Sequence, residues 1–214
     1  MTDADWGAIA LSVRVATAAT AAAALPSLAL GWYLARKDGL VARLAEFVVG
    51  IPLVLPPVVT GYALLLALPR SITFTWWAGV IASSIVGLPL FVALARSGFA
   101  SVSDDVLDAA RTDGASGWRV FRDVAAPKTA PAVTAGAALH FARALGEFGA
   151  TLVVAGNVPG RTQTLPLALY TKLQTPGGEQ ASVELAIIAV VLAVVSIGLS
   201  RIVLRRASVG PSAP

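Results

Sequence analysis

The sequence predicts an all-α integral membrane protein of five transmembrane helices, on three observations. Of 214 residues, 57% are apolar and 13% charged, about half the charge of an ordinary soluble domain. The mean hydropathy is +0.78. Five apolar stretches lie at residues 6–35, 47–68, 76–95, 131–155 and 183–204, each near the ~20 residues that cross ~30 Å of hydrocarbon. Together they form one membrane domain over residues 1–214 and leave little chain for a soluble enzyme domain.

The first stretch opens after MTDADWG, which carries Asp3 and Asp5 and no early cation. A secretory signal needs a basic start and a shorter apolar core, so residues 6–35 read as a spanning helix. Pro26 predicts a kink, and Trp32 and Tyr33 predict an aromatic belt at its end. In the second stretch Pro52, Pro56 and Pro57 interrupt the first half. Broken backbone is tolerated in a membrane only where protein or water satisfies it, so this segment is expected to pack inside the protein. Trp76 and Trp77 mark the interface at the start of the third stretch. The fourth is rich in Ala and Gly, including Gly136, Gly146 and Gly149, which lets a neighbouring helix approach closely. Between it and the fifth, residues 156–182 form a polar loop with a short interfacial helix at LPLALYTKLQ. The Gly/Pro/Ser tail after Arg206 is expected to be disordered.

Charge sets the expected orientation. One set of connections holds Arg36, Lys37, Arg43, Arg96, Arg111, Arg119, Arg122, Lys128, Arg201, Arg205 and Arg206; the opposite set holds Arg70, Arg161 and Lys172. Eleven against three makes the first set cytoplasmic. The N-terminus is then outside and the C-terminus inside, as an odd number of crossings requires. The net charge of +4 follows from these loops and predicts no nucleic-acid partner. With no cysteine and one histidine, no metal site is expected.

The most informative polar segment is residues 103–127, on the predicted cytoplasmic side. Ser103 can cap a helix whose first turn carries Asp104 and Asp105. Gly114 suits its C-terminal stop. Ser116 can start a second helix with Trp118, Phe121 and Val124 along one side, stopped by Pro127. This helix-turn-helix has apolar side chains with few partners. It suits docking to another protein or an amphipathic loop on the lipid surface, and the pattern alone does not separate the two.

The residues that separate them are Asp108, Ala109 and Ala110, then three residues, Gly114, nine residues, Val124, one residue, and Ala126–Pro127. This resembles the signature of permease subunits of bacterial ATP-binding-cassette importers: Glu-Ala-Ala, three residues, Gly, nine residues, Ile, one residue, Leu-Pro. The spacing is kept, with Asp for Glu, Val for Ile and Ala for Leu. The resemblance extends along nearly the whole chain. IPLVLPPVVTGYALLLAL, ALGEFGAT at residues 144–151 and TPGGE at 175–179 are similar to molybdate importer permeases; sulfate, thiosulfate and tungstate permeases share much of the pattern. It implies the type I importer permease fold in a bacterial-type inner membrane. Asp108, Ala109, Ala110, Gly114, Val124 and Pro127 then form the coupling segment seated in a groove of the ATPase. The implied partners are a second copy of the chain, two ATPase subunits that bind ATP and Mg²⁺, and an extracytoplasmic binding protein that docks on the outer loop.

Arg14, His140, Arg143 and Glu147 fall within the apolar stretches. Burying a charge at the bilayer centre costs roughly 2.5–3.5 kcal/mol even on the lenient scale, so such groups pair or face a cavity. Arg14 lies near the end of its stretch and is expected to snorkel. His140, Arg143 and Glu147, at i, i+3 and i+7, share one helical face, and Arg143 with Glu147 makes an intrahelical pair. That face reads either as the lining of a translocation path or gate, or as a self-neutralising interface. The chain lacks G-x-x-x-x-G-K-[ST], so it has no phosphate-cradling loop of its own. An ion-coupled secondary transporter would show more spans or repeated halves. A membrane-embedded enzyme would need a catalytic constellation that these few residues do not make.

Overall fold

A computed structural model describes the backbone of residues 1–208 and the side chains of residues 1–198. The chain opens with α1 (Asp3–Arg36). Thr2 caps it: its backbone N–H donates to Asp5 Oδ2 (2.7 Å), and its Oγ1 accepts from the Asp5 N–H. The helix continues through Pro26 without a break. Next come α2 (Leu40–Val54) and α3 (Pro57–Ala67), bent against each other by 112°. Then α4 (Trp76–Ala100) leads into α5 (Asp104–Thr112) and the short α6 (Gly117–Arg119). A single π turn at Val120–Ala125 leads into α7 (Ala126–Leu145). α8 (Gly149–Val154), α9 (Leu165–Leu173) and α10 (Glu179–Ser208) complete the chain. Of the predicted disordered tail, Ala207 and Ser208 belong to α10, while residues 209–214 and the side chains of Arg201, Arg205 and Arg206 lie outside the described residues.

Among the described residues, α1, α4 and α10 (over Glu179–Gly198) are each long and apolar enough to cross a membrane alone, and α2 with α3 passes the same test as one bent pair. Helix α4 is the hub, packing on α1, α2, α7 and α8. Small residues set its close approaches. A Cβ on Gly31 would sit 2.7 Å from Ala95 Cβ, and one on Gly98 would sit 2.6 Å from Ala132 Cβ. Both are below any tolerated contact, so α1 meets α4, and α4 meets α7, at glycines.

Four expectations are corrected. The bent pair does not bury itself within the chain: α2 buries only Ala42 and α3 only Thr60 and Gly61, while Phe47, Val54, Tyr62 and Leu66 are exposed. The cause is that α2 rests on α4, and α3 mainly on α8, along one side only. The fourth stretch is two helices, because the chain leaves the helix at Gly146 and restarts at Gly149. Trp32 is not a belt residue; its ring packs edge-on against Phe99 (5.2 Å) and Phe121 (5.4 Å). Finally, the helix at LPLALYTKLQ does not lie free on a surface: one side of it is buried, while Tyr170 and Leu173 stay exposed. Helix α9 packs on α1 and α10 with Leu165, Leu167 and Ala168 buried, and the Leu165 N–H donates to Ser12 Oγ (2.6 Å).

Candidate functional site

The segment between α4 and α7 is built on one glycine. Gly114 has φ +85°, a left-handed conformation that is strained for a side chain. It ends α5 in a Schellman-type closure, with Ala115 N–H donating to Ala110 O (3.1 Å) and Gly114 N–H to Arg111 O (3.0 Å). Ser116 Oγ then accepts from Arg119 N–H, at the long distance of 3.4 Å, and starts the return. Pro127 does not stop this return. The π turn carries it on, with Ala126 N–H donating to Phe121 O, and Pro127 falls in the first turn of α7.

The inner side of the segment is anchored by Leu107, Val120 and Ala125, all buried with Phe99 and Val102. Val124 and Ala110 are half-buried on the same cluster. The outer side is exposed: Ala109, Thr112, Gly114 and Trp118, the last stacked on Phe121 at 5.6 Å. Asp108 Oδ1 accepts from Arg111 (2.6 Å), and Asp123 takes a two-pronged bond from Arg122. The hydrogen bond from Arg122 holds the Asp123 carboxyl below the usual carboxylate range. The segment is thus an apolar anchor beneath an exposed, glycine-turned tip.

The second group of residues is divided by the structure. Arg143 Nη1 donates to Glu147 Oε2 (2.7 Å), but Glu147 lies past the end of α7, so the pair bridges a helix break. The other oxygen of the same carboxylate, Oε1, accepts from Ala150 N–H (2.9 Å) in the first turn of α8. Glu147 is 2% exposed, and it uses both oxygens: one neutralises Arg143, the other caps α8. Beside it is a pocket of about 280 Å³ lined by Pro57, Val58, Arg143, Gly146, Phe148 and Gly149. The two helix breaks, α2–α3 and α7–α8, meet here. A Cβ on Gly61 would lie 2.6 Å from Ala150 O, and one on Gly149 3.0 Å from Pro57 Cβ.

His140 is elsewhere, fully buried among α1, α4 and α7. Its Nδ1 is 3.0 Å from Thr20 Oγ1 and its Nε2 3.3 Å from Ser84 O. Gly87 leaves the room for the ring, because a Cβ there would be 2.7 Å from His140 Cδ2. Arg14 lies over the Trp76 ring at 5.7 Å.

Sequence reasoning did not identify Arg36 as more than a loop cation, and it gave Asp5 no partner. Asp5 is buried, with Lys172 Nζ at 3.3 Å from its Oδ1. The only signal was an acidic residue in the first turn of an otherwise apolar helix. No local pattern announced the network of Asn157, Gln163 and Thr171 that closes the loop before α9.

The family described as "Binding-protein-dependent transport system inner membrane component" matches residues 27–209. The molybdenum transport system permease protein ModB of Escherichia coli K12 is 38% identical over 214 residues, 94% of this chain and 93% of that protein. ModB of Haemophilus influenzae is 40% identical over 210 residues, 92% of each. The molybdate/tungstate transport system permease protein WtpB of Thermococcus kodakarensis is 36% identical, covering 86% of this chain and 73% of that protein. Among solved structures, the inward-facing MetNI methionine ABC transporter superimposes with a TM-score of 0.72 at 15% identity, over 97% of this chain and 99% of that one. At that identity the likeness speaks for the fold.

Proposed function

The chain belongs to the family of binding-protein-dependent transport system inner membrane components, and from that premise we propose that it is the transmembrane permease subunit of an ATP-driven importer for molybdate, with tungstate also accepted. The observation that carries the substrate is the near full-length similarity to relatives named for molybdenum transport. The exposed tip at Gly114 carries the mechanism.

Two copies of this chain work with two ATPase subunits, which bind ATP and Mg²⁺, and with an extracytoplasmic binding protein. Each copy crosses the inner membrane five times, through α1, α2–α3, α4, α7–α8 and α10, with its N-terminus outside and its C-terminus in the cytoplasm. The cytoplasmic excess of Lys and Arg supports this orientation. Asp108, Ala109, Ala110, Gly114, Val124 and Pro127 form the coupling segment. ATP binding closes the ATPases, draws the two coupling segments together and turns the bundle from inward to outward access; hydrolysis resets it.

Arg143 and Glu147, at the meeting of the two broken spans, form the gate. A pathway group that held the oxyanion tightly would slow its release. Glu147 competes with the anion for Arg143, so Arg143 offers only a brief contact. His140 braces the bundle behind the gate.

The test is ATP-dependent uptake of labelled molybdate into vesicles containing this chain, its ATPase and its binding protein. The expected result is uptake blocked by tungstate and untouched by excess sulfate. Competition by sulfate, or brisk sulfate uptake without molybdate uptake, would move the protein to the sulfate/thiosulfate importers.

A further inference from the structure

The coupling segment is joined by the chain to α4 and to α7, and to no other spanning helix. Helix α1 nonetheless reaches it. Arg36, the last residue of α1, places one guanidinium nitrogen, Nη2, 2.8 Å from both Phe99 O and Val102 O. These carbonyls lie at the C-terminal end of α4 and in the link that follows it, where the helix dipole is negative, and Phe99 O also takes the Val102 N–H (3.2 Å). The other terminal nitrogen, Nη1, donates to Asp104 Oδ1 (2.7 Å) in the first turn of α5. Arg36 Cζ lies over the Trp32 ring, 5.2 Å from its centre, and Trp32 in turn packs against Phe99 from α4 and Phe121 from the π turn. Nε is buried without a hydrogen-bond partner, so the hold is through the two terminal nitrogens.

The weights of these contacts differ. Asp104 is 80% exposed, so its ion pair with Arg36 is weak. The side chain of Arg36 is 17% exposed, and its bonds to two carbonyls are charge-assisted and shielded from water. Five residues before Arg36, Gly31 brings α1 against Ala95. The end of α1 is thus held at two levels: by close packing, and by a planar fork that only arginine supplies.

We propose that Arg36 is a positioning residue that makes α1 move as one body with the coupling segment, so that the ATPase drives three spanning helices instead of the two joined to it by the chain. This rests on residues 103–127 being the ATPase contact, so the experiment tests that contact separately. The chain has no cysteine, and a single cysteine at the exposed Thr112 reports docking by cross-linking to the ATPase.

The measurement is ATP hydrolysed per molybdate imported in vesicles holding the complete transporter, for the wild type, Arg36→Gln and Arg36→Lys. Lysine keeps the charge and loses the fork, which guards against a Gln variant that fails to fold. The expected result is that both variants bind the ATPase and cross-link from position 112 as the wild type does. Both continue to hydrolyse ATP, but consume about tenfold more of it per ion, within the range of ordinary coupling energies. Wild-type coupling in both variants would overturn the proposal. So would a parallel loss of assembly, hydrolysis and uptake, which marks a role in folding alone. Absence of the cross-link in the otherwise wild-type chain would instead refute the coupling segment itself.

Discussion

At the scale of single residues, buried polar groups decide the energetics. Glu147 is nearly inaccessible and satisfies both Arg143 and the first turn of α8. Glu147→Gln keeps one acceptor oxygen, which can serve the Ala150 N–H, and replaces the charge and the oxygen that faces Arg143 with an NH2 donor. It is expected to lower stability by roughly 2 kcal/mol, the size of a charged hydrogen bond, and to reduce uptake. A melting curve of the solubilised protein and an uptake assay check both, and unchanged values in the two would make the pair dispensable. His140 gives a different prediction. Gly87→Ala places a methyl group against its ring, and overpacking of this kind costs about 1–3 kcal/mol. In the His140→Ala background the same substitution should cost much less, and additive losses would mean that the ring is not what the methyl meets.

At the scale of elements, two backbone approaches carry the arrangement. Gly114 turns α5 back at φ +85°, so Gly114→Val should strain the turn by about 1–3 kcal/mol. The site is exposed and outside the apolar stretches, so membrane insertion should be normal while uptake collapses. Normal uptake at normal protein levels would remove the turn from the mechanism. Gly61 is where α3 meets α8, and the atoms that a Cβ would strike are the Ala150 carbonyl oxygen and Cα. Backbone cannot rotate away as a flexible side chain can. Gly61→Ala should therefore harm assembly more than Gly87→Ala, read as the fraction of protein that remains monodisperse after extraction.

At the scale of the whole molecule, the exposed side of α2 and α3 is the outstanding feature. Phe47, Val54, Tyr62 and Leu66 are more than half exposed in the single chain, although their prolines break the helix where lipid would not satisfy it. The proposed assembly of two copies offers a cover for such a face. Native mass measurement of the extracted transporter should return two copies of this chain with two ATPase subunits.

Much of this was legible in the sequence because its causes are local. Hydropathy over some twenty residues identifies a candidate spanning segment regardless of its neighbours. The left-handed turn at Gly114 is written in one residue, and the coupling signature in a fixed spacing around it. What the sequence could not determine depends on which residues meet across long separations. It placed His140, Arg143 and Glu147 on one face by periodicity, but the helix ends at Leu145, and the carboxylate serves two elements instead of one. It read Trp32 as a lipid anchor and Arg36 as a loop charge, since neither residue carries a mark of Phe99, which is 63 positions from Arg36 and farther still from Trp32. Composition and hydropathy determined by themselves that this is an all-α membrane protein, and the resemblance carried by residues 108–127 pointed to an importer permease. Only the tertiary structure decided which polar groups are partners, because a hydrogen bond is satisfied by position in space and hydropathy is summed along the chain.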